Sequence, residues 1–137
     1  YLPSVNNINR KSVGSIIFPV AILICFGIQL KYQNRLFFYI PLLIMFISDP
    51  LAAITGRFFP YKNYYFHGEQ RSIGGSLASF IISFLLLQFY SKTSLKSLIA
   101  VSLLISFTST ITEGLSRKGF DNITVPLSVL IILFLLS

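Results

Sequence analysis

Carboxylates are the rarer charged groups in this chain of 137 residues, and one of them stands at a costly position. The acids are Asp49, Glu69, Glu113 and Asp121. Asp49 ends a long apolar run, and a carboxylate at the end of a run of membrane-helix character is a candidate functional group. It could hold Mg²⁺ or activate a hydroxyl, because phosphoryl-transfer sites hold this ion with one or two carboxylates plus substrate phosphates. The alternative is an ordinary helix N-cap before Pro50.

Glu113 and Asp121 are two further candidates for catalysis and metal binding. Glu113 ends a run in which polar side chains recur at helical three-to-four spacing, and such a stripe on a membrane helix normally faces the bundle or a wet cavity. Its alternative role is an interfacial acid paired with Arg117 or Lys118. Asp121 and Asn122 could supply a second pair of oxygen ligands, or they could cap the last helix, a position that both residue types favour.

Basic and small residues between these acids are typical of a phosphate site. Arg57, Lys62 and Arg71 could neutralise phosphates, since a guanidinium group suits bidentate phosphate contact. Their alternative role is topology signalling alone. The candidates at the start of the following helix are Ser72, Gly74, Gly75 and Ser76. Backbone N–H groups there could cradle a phosphate, whereas small residues also allow close helix packing.

Long apolar segments must position these residues. The sequence is 54% hydrophobic with a mean hydropathy of +0.77, well above a soluble domain of this size. We therefore predict an all-α, polytopic integral membrane helical bundle, with residues 1–137 as a single membrane-embedded catalytic domain. The five predicted transmembrane helices are 13–30, 36–48, 73–91, 97–112 and 123–137. The second either breaks at Asp49 or continues, kinked, to Gly56, and a polar loop covers 56–72.

The charges predict an orientation for this bundle. Five spans put the N-terminal tail, the 56–72 loop and the 116–122 loop on one face. The basic residues of that face are Arg10, Lys11, Arg57, Lys62, Arg71, Arg117 and Lys118, and those of the opposite face are Lys31, Arg35, Lys92 and Lys96. Because Lys and Arg gather at cytoplasmic membrane ends, we expect the first face in the cytoplasm. All the acids and His67 fall at or near this face, where a nucleotide is available.

Other site chemistries find little support in the sequence. The single cysteine, Cys25, lies in an apolar run and is expected to be a small buried hydrophobe. The sequence contains no metal-binding His/Cys cluster, Walker loop or Ser-His-Asp set. Nucleic-acid binding is not expected, because no soluble basic domain exists. The chain starts at Tyr1 without a methionine, which is compatible with a trimmed N-terminus and missing upstream membrane helices.

Several of these segments together resemble one enzyme family. Residues 48–57, SDPLAAITGR, resemble the GDxxAxxxGR segment of the CTP-dependent polyprenol kinases, and 71–76, RSIGGS, resemble their K[ST]xxGS segment. Glu113 followed by GFDNITVP at 119–126 is similar to their E…GxDN[LI]T[VI]P ending, which is the most specific match. Arg10 and Lys11 resemble the early RK of the family. The group includes dolichol kinase, phytol kinase and CTP-dependent diacylglycerol kinase, and is related to phosphatidate cytidylyltransferase.

This chain departs from the family pattern at three positions. Ser48 stands where the family has glycine before the aspartate, and Arg71 stands where it has lysine. Gly14 occupies a position where many members have histidine. Family members are commonly longer and carry additional N-terminal helices. The first two differences are conservative, so they leave the expected chemistry unchanged.

The resemblance implies transfer of the γ-phosphate of CTP to the hydroxyl of a membrane lipid alcohol, with Mg²⁺. Asp49, Glu113 and Asp121 would hold the metal or take the proton. The residues implied in nucleotide and phosphate binding are Arg57, Lys62, Arg71, Ser72, Gly74, Gly75, Ser76 and Asn122. The alternatives are a cytidylyltransferase that forms a CDP-lipid and a membrane transporter or scaffold without chemistry.

The expected partners follow from that chemistry. They are CTP, a membrane lipid alcohol and the lipid bilayer, with a homodimer as an open option for assembly. The expected location is a cell inner membrane or the endoplasmic reticulum, with the active site on the cytoplasmic face. Dolichol, phytol, another prenol and diacylglycerol remain alternatives for the alcohol.

Overall fold

A computed structural model describes residues 13–66, 68–90, 98–117 and 119–136. The expectations for Arg10, Lys11, His67, Lys92, Lys96 and Lys118 lie outside the described residues. Six α-helices occur in these ranges: α1 (Val13–Tyr32), α2 (Leu36–Leu43), α3 (Asp49–Phe58), α4 (Ile73–Tyr90), α5 (Leu98–Leu115) and α6 (Asp121–Leu136). A π-helical turn, Ile44–Ser48, joins α2 to α3, and a hairpin of β1 (Asn63–Phe66) and β2 (Glu69–Ser72) precedes α4. The predicted all-α bundle is confirmed.

The segment 36–58 is one continuous helical rod and not a broken helix. The N–H of Asp49 bonds to the carbonyl of Ile44, five residues earlier, which widens the turn before Pro50. A proline inside a regular α-helix lacks the N–H for the carbonyl four residues back and its ring clashes with that carbonyl. The wider turn removes this conflict, and π-turns of this kind often occur at functional sites. Of the two alternatives for this segment, continuation is therefore correct, and α3 extends past Gly56 to Phe58.

The stretch predicted as the loop 56–72 contains regular structure. After α3 ends, β1 and β2 pair antiparallel, with Tyr64 opposite Arg71 and Tyr65 opposite Gln70. Aromatic residues favour a strand, and Gly68 adopts a positive φ of 79° between the strands, which glycine tolerates without strain. The loop prediction was wrong here because this strand pair is only four residues long on each side.

The interior of the bundle is mostly apolar, although it also buries serines such as Ser48 and Ser83, and much of the exterior is apolar as well. The buried cluster includes Cys25, as expected, together with Ile40, Ile105 and Val129. Large apolar side chains such as Leu23 and Leu135 are exposed on the outside. Among the described residues, two helical segments, Gly14–Tyr32 and Leu36–Phe58, are long and apolar enough to cross a bilayer, and three shorter apolar helices accompany them.

The polar ends of the helices meet at one end of the bundle. A Cβ placed on Gly14, at the start of α1, would lie 3.0 Å from Asn122 Nδ2 and 3.1 Å from Gly119 Cα. Arg71, in β2, donates from a guanidinium N–H to the carbonyl of Ser116, after α5, at 2.9 Å. The expectation that the 56–72 and 116–122 segments share one end is therefore confirmed.

Candidate active site

A cavity of about 520 Å³ lies at this polar end, within the size range of small-molecule sites. It is enclosed by α3, the hairpin and the adjoining ends of α4, α5 and α6. Its lining residues are Asp49, Ala52, Ala53, Gly56, Arg57, Pro60, Asn63, Glu69, Gln70, Arg71, Ser72, Gly75, Ser76, Glu113 and Asp121. All the acidic candidates named from the sequence thus reach one space. Of the remaining candidates, Lys62, Gly74 and Asn122 are not among the lining residues.

Asp49 is the most unusual group in this cavity. Both of its carboxylate oxygens are buried, and neither has a hydrogen-bond partner among the described residues. Glu113 and Asp121 lie close enough to repel its charge, while Arg71 lies close enough to attract it. Asp49 is already the first residue of α3, and no side-chain cap bond is made there. The N-cap interpretation is therefore not supported, because the carboxylate bonds no backbone N–H group.

Glu113, on α5, is held by a residue of the neighbouring helix α4. Its Oε2 accepts a short hydrogen bond of 2.6 Å from the hydroxyl of Ser79, on α4. The partner that the structure gives this acid is thus a serine, and not Arg117 as the interfacial alternative required. The other alternative partner, Lys118, lies outside the described residues. Glu113 therefore belongs to the bundle interior and the cavity.

The side chains of Asp121 and Asn122, at the start of α6, lie in different surroundings. The Oδ1 of Asp121 accepts the N–H of Asn122 at 3.0 Å, so this carboxylate also caps backbone while lining the cavity. The carbonyl of Phe120 accepts the N–H groups of Ile123 and Thr124. The side chain of Asn122 lies instead beside Gly14, at the contact between α1 and the α5–α6 turn. Both roles weighed for Asp121 are compatible with this geometry, whereas Asn122 is placed to support packing.

Of the basic candidates, Arg57 and Arg71 line the cavity and Lys62 does not. The Nε of Arg71 is buried and has no hydrogen-bond partner among the described residues, although a terminal N–H of the same guanidinium group donates to the carbonyl of Ser116. Arg57, in the last turn of α3, lines the cavity with an exposed side chain. Lys62 is exposed, and its ammonium group lies 5.7 Å from the centre of the Tyr61 ring. Two arginines are therefore positioned to bind an anion in the cavity, and Lys62 lies at its margin.

The glycines at the start of α4 serve close packing. A Cβ on Gly74 would lie 2.4 Å from the carbonyl oxygen of Phe59, and one on Gly75 would lie 3.1 Å from that of Ala52. The N–H of Gly75 already bonds to Ser72 Oγ at 3.0 Å, so Ser72 caps this helix. Packing through small residues thus accounts for Gly74 directly. Ser72, Gly75 and Ser76 still line the cavity, and a phosphate contact by them stays a prediction.

Sequence reasoning missed the contribution of the hairpin. Pro60, Asn63, Glu69 and Gln70 line the cavity, and no role was predicted for any of them. Two are amides, which can both donate and accept hydrogen bonds. The aromatic run in β1 was the signal that could have revealed a strand. The hairpin adds neutral polar groups beside the charged ones.

The oxygen-rich set fits a hard cation such as Mg²⁺ better than a softer metal. Asp49 supplies two buried oxygens that lack partners among the described residues. Within those residues, no three His, Cys, Asp or Glu side chains are close enough to hold an ion by themselves. Mg²⁺ usually keeps several waters and binds one or two carboxylates together with substrate phosphates. The site therefore fits an ion shared with a phosphorylated ligand.

Comparison with known proteins found a relative with a known activity. The chain is 29% identical over 129 residues, 92% of its length, to a protein from a Synechocystis species. That relative is a phytol kinase. No protein-family model matches the chain, and no solved structure matches it significantly. The chain spans about 55% of the length of the phytol kinase. The similarity supports the resemblance to polyprenol kinases that the motifs indicated.

Proposed function

We propose that this chain is a lipid alcohol kinase that transfers the γ-phosphate of CTP to phytol or to another membrane alcohol of the prenol, dolichol or diacylglycerol type. The observation that carries the proposal is the meeting of Asp49, Glu113 and Asp121 with Arg57 and Arg71 in one cavity. These residues come from distant parts of the chain. The similarity to a phytol kinase supplies the acceptor class.

Each group has a role in this proposal. Asp49 and Asp121 would hold Mg²⁺, with Glu113 as a further candidate ligand; the bound ion neutralises charge on the nucleotide phosphates. Arg57 and Arg71 bind the phosphates. Glu113 accepts the proton of the lipid hydroxyl as the oxygen of that hydroxyl forms a bond to the γ-phosphorus. The bond from that phosphorus to the β–γ bridging oxygen breaks, and CDP leaves.

A membrane location follows from the same proposal. The apolar exterior and the apolar helical segments would lie in the bilayer, either a cell inner membrane or the endoplasmic reticulum. The cavity would lie at the cytoplasmic boundary, where nucleotide is available. The hydrocarbon tail of the alcohol would then lie between helices, and its hydroxyl would reach the carboxylates.

Labelled nucleotide tests the proposal. Purified protein in lipid vesicles is given phytol, dolichol or diacylglycerol with γ-labelled CTP, α-labelled CTP or γ-labelled ATP. Label should enter the lipid from γ-labelled CTP and not from α-labelled CTP. Label from the α-position would instead indicate a cytidylyltransferase. Absence of label with every alcohol would favour the transporter or scaffold.

A further inference from the structure

Three buried serines are linked by a series of hydrogen bonds that ends at Glu113 and passes through the backbone carbonyl of Ser79. We call Ser48, Ser79 and Ser83 the serine relay. The hydroxyl of Ser83 donates to Ser48 Oγ at 2.9 Å, and the hydroxyl of Ser48 donates to the backbone carbonyl of Ser79 at 3.0 Å, which places the two Oγ atoms 3.3 Å apart. Ser79 then donates to Glu113 Oε2 at 2.6 Å. The relative exposures of the three serines are 0%, 1% and 0%.

The relay crosses between three helical elements. Ser79 and Ser83 are one turn apart on α4, so their side chains share a face. Ser48 is the last residue of the π-helical turn, directly before Asp49. Glu113 lies near the end of α5. The relay therefore connects the backbone that carries one cavity carboxylate to the side chain of another.

Burial gives these hydrogen bonds more weight than they would have at a surface. A polar group without a partner in an apolar interior is costly. Removing the Ser48 hydroxyl would leave Ser83 without its acceptor, and removing the Ser79 hydroxyl would leave Glu113 Oε2 without its donor. Each serine donates towards Glu113: Ser83 donates to Ser48, Ser48 donates to the Ser79 carbonyl, and Ser79 donates to the carboxylate. A short hydrogen bond to a carboxylate also restricts its rotation.

We infer that Ser79, supported by Ser48 and Ser83, is a positioning residue that fixes the Glu113 carboxylate at the cavity. With Oε2 engaged by Ser79, Oε1 is oriented to accept the proton of the lipid hydroxyl. The inference rests on the proposed function, since it assigns the serines a part in that reaction. Ser79 acts through Glu113 and touches neither the nucleotide nor the lipid.

Kinetics of single variants separate positioning from binding. Ser79→Ala should lower kcat by about 10-fold to 100-fold, as loss of supporting contacts around site ligands does elsewhere, and should leave the KM for CTP within about twofold. Ser79→Thr keeps the hydroxyl and should retain most of the activity. Ser83→Ala, farther along the relay, should lower kcat less than Ser79→Ala, and it serves where Ser79→Ala does not fold.

Ser109→Ala is the matched control. Ser109 is equally buried, but its hydroxyl donates to the backbone of its own helix, at Ser106, at 3.1 Å. The kcat of Ser109→Ala should stay within about twofold of that of the parent, because the hydrogen bond that this variant loses is not part of the serine relay. Equal losses in Ser79→Ala and Ser109→Ala would overturn the inference, since generic loss of a buried hydroxyl would then explain both.

A thermal double-mutant cycle tests the contact without any assay of activity. Ser79→Ala, Glu113→Ala and the double variant are melted as full chains in detergent, because each single change removes one partner of the hydrogen bond. If Ser79 and Glu113 interact, the Tm change of the double variant should differ from the sum of the single changes. Additive changes would show that the contact is absent. If no alcohol is phosphorylated by the parent, the proposed function fails and the reaction role of Ser79 fails with it, whereas this cycle still reports on the contact.

Discussion

At the scale of single residues, Asp49 is the group that the fold does least to stabilise. A buried carboxylate without hydrogen bonds costs folding free energy, and the neighbouring Glu113 and Asp121 add repulsion. Active-site groups often reduce stability in exchange for function. A divalent cation bound together with a nucleotide would offset both costs. The instability of this position is therefore an argument that the site is built for a charged ligand.

Asp49→Asn should separate stability from function. The amide keeps the shape of the side chain and removes the charge, so we expect the free energy of unfolding to rise by about 0.5–2 kcal/mol. Lipid phosphorylation should fall by at least about 100-fold. Thermal melting and label transfer from γ-labelled CTP measure the two effects.

Mg²⁺ and a chelator supply the control for Asp49→Asn. With CTP present, Mg²⁺ should raise the Tm of the parent, since a ligand that binds the folded state stabilises it, and EDTA should reverse the shift. The variant should respond much less. Glu69→Gln removes a more peripheral cavity carboxylate and should keep the Mg²⁺ response. Full activity together with an unchanged melting curve in Asp49→Asn would remove Asp49 from the site.

Arg71 and Lys62 should differ although the sequence suggests the same role for both. Arg71→Gln removes a guanidinium whose buried Nε has no partner among the described residues, and it should raise the KM for CTP by about 10-fold or more. Lys62→Gln changes an exposed side chain at the margin of the cavity and should alter KM by less than about twofold. Initial-rate kinetics in vesicles compare the two. A larger effect at Lys62 would mean that the phosphates bind outside this cavity.

At the scale of elements, the close approach of α3 and its following turn to α4 sets the shape of the site. Gly56 and Gly75 face each other, since a Cβ on either would lie 3.4 Å from the Cα of the other. Gly74 meets the backbone just after α3. These glycines let α3 and α4 approach closely enough for Asp49 and Arg71 to line the same cavity.

Gly74→Ala should destabilise the protein by about 1–3 kcal/mol, because the added Cβ would lie 2.4 Å from the Phe59 carbonyl oxygen and backbone cannot easily move aside. Gly27→Ala is the matched control. A Cβ at Gly27 meets nothing within 4 Å, and alanine favours helix over glycine, so stability should stay the same or rise by up to about 1 kcal/mol. Chemical unfolding in detergent measures both. Equal stability of the two variants would contradict the packing role of Gly74.

The helical elements were predictable from the sequence, and the details that shape the site were not. Apolar runs bounded by charges located the helices, and the scarcity of acids singled out Asp49, Glu113 and Asp121. The π-helical turn escaped prediction because it depends on how Pro50 fits into a continuing helix. The hairpin escaped because four-residue strands give little alternation. The relay escaped because Ser79 and Glu113 are far apart in sequence.

At the scale of the whole molecule, the charged and polar residues of the cavity gather at one end of the bundle. The cavity, the start of α1 and the α5–α6 turn lie together there, and the exposed apolar side chains cover much of the remaining surface. A soluble protein rarely exposes so many large apolar side chains. This difference between a polar end and apolar sides is compatible with the proposed function, in which nucleotide binds at that end and lipid surrounds the sides.

Cysteine labelling tests the orientation of this end. Tyr65, in β1, is 73% exposed, and Lys31, at the last turn of α1, is exposed towards the opposite end. In intact cells, an impermeant maleimide applied from outside should label Lys31→Cys and not Tyr65→Cys. After the membrane is opened, Tyr65→Cys should react as well. The native Cys25 is fully buried and adds little background. The reverse pattern would place the cavity on the outer side of the membrane.

The wide turn before Pro50 also fixes which way the following helix faces. It holds an extra residue relative to regular winding, and each residue of an α-helix advances the rotation by about 100°. Shortening the turn by one residue would rotate everything from Asp49 to Phe58 by more than a quarter revolution. The carboxylate of Asp49 would turn away from the cavity, and side chains of α3 that are now exposed on the outside of the bundle would turn towards it. The length of this one turn thus determines which side chains of α3 line the cavity.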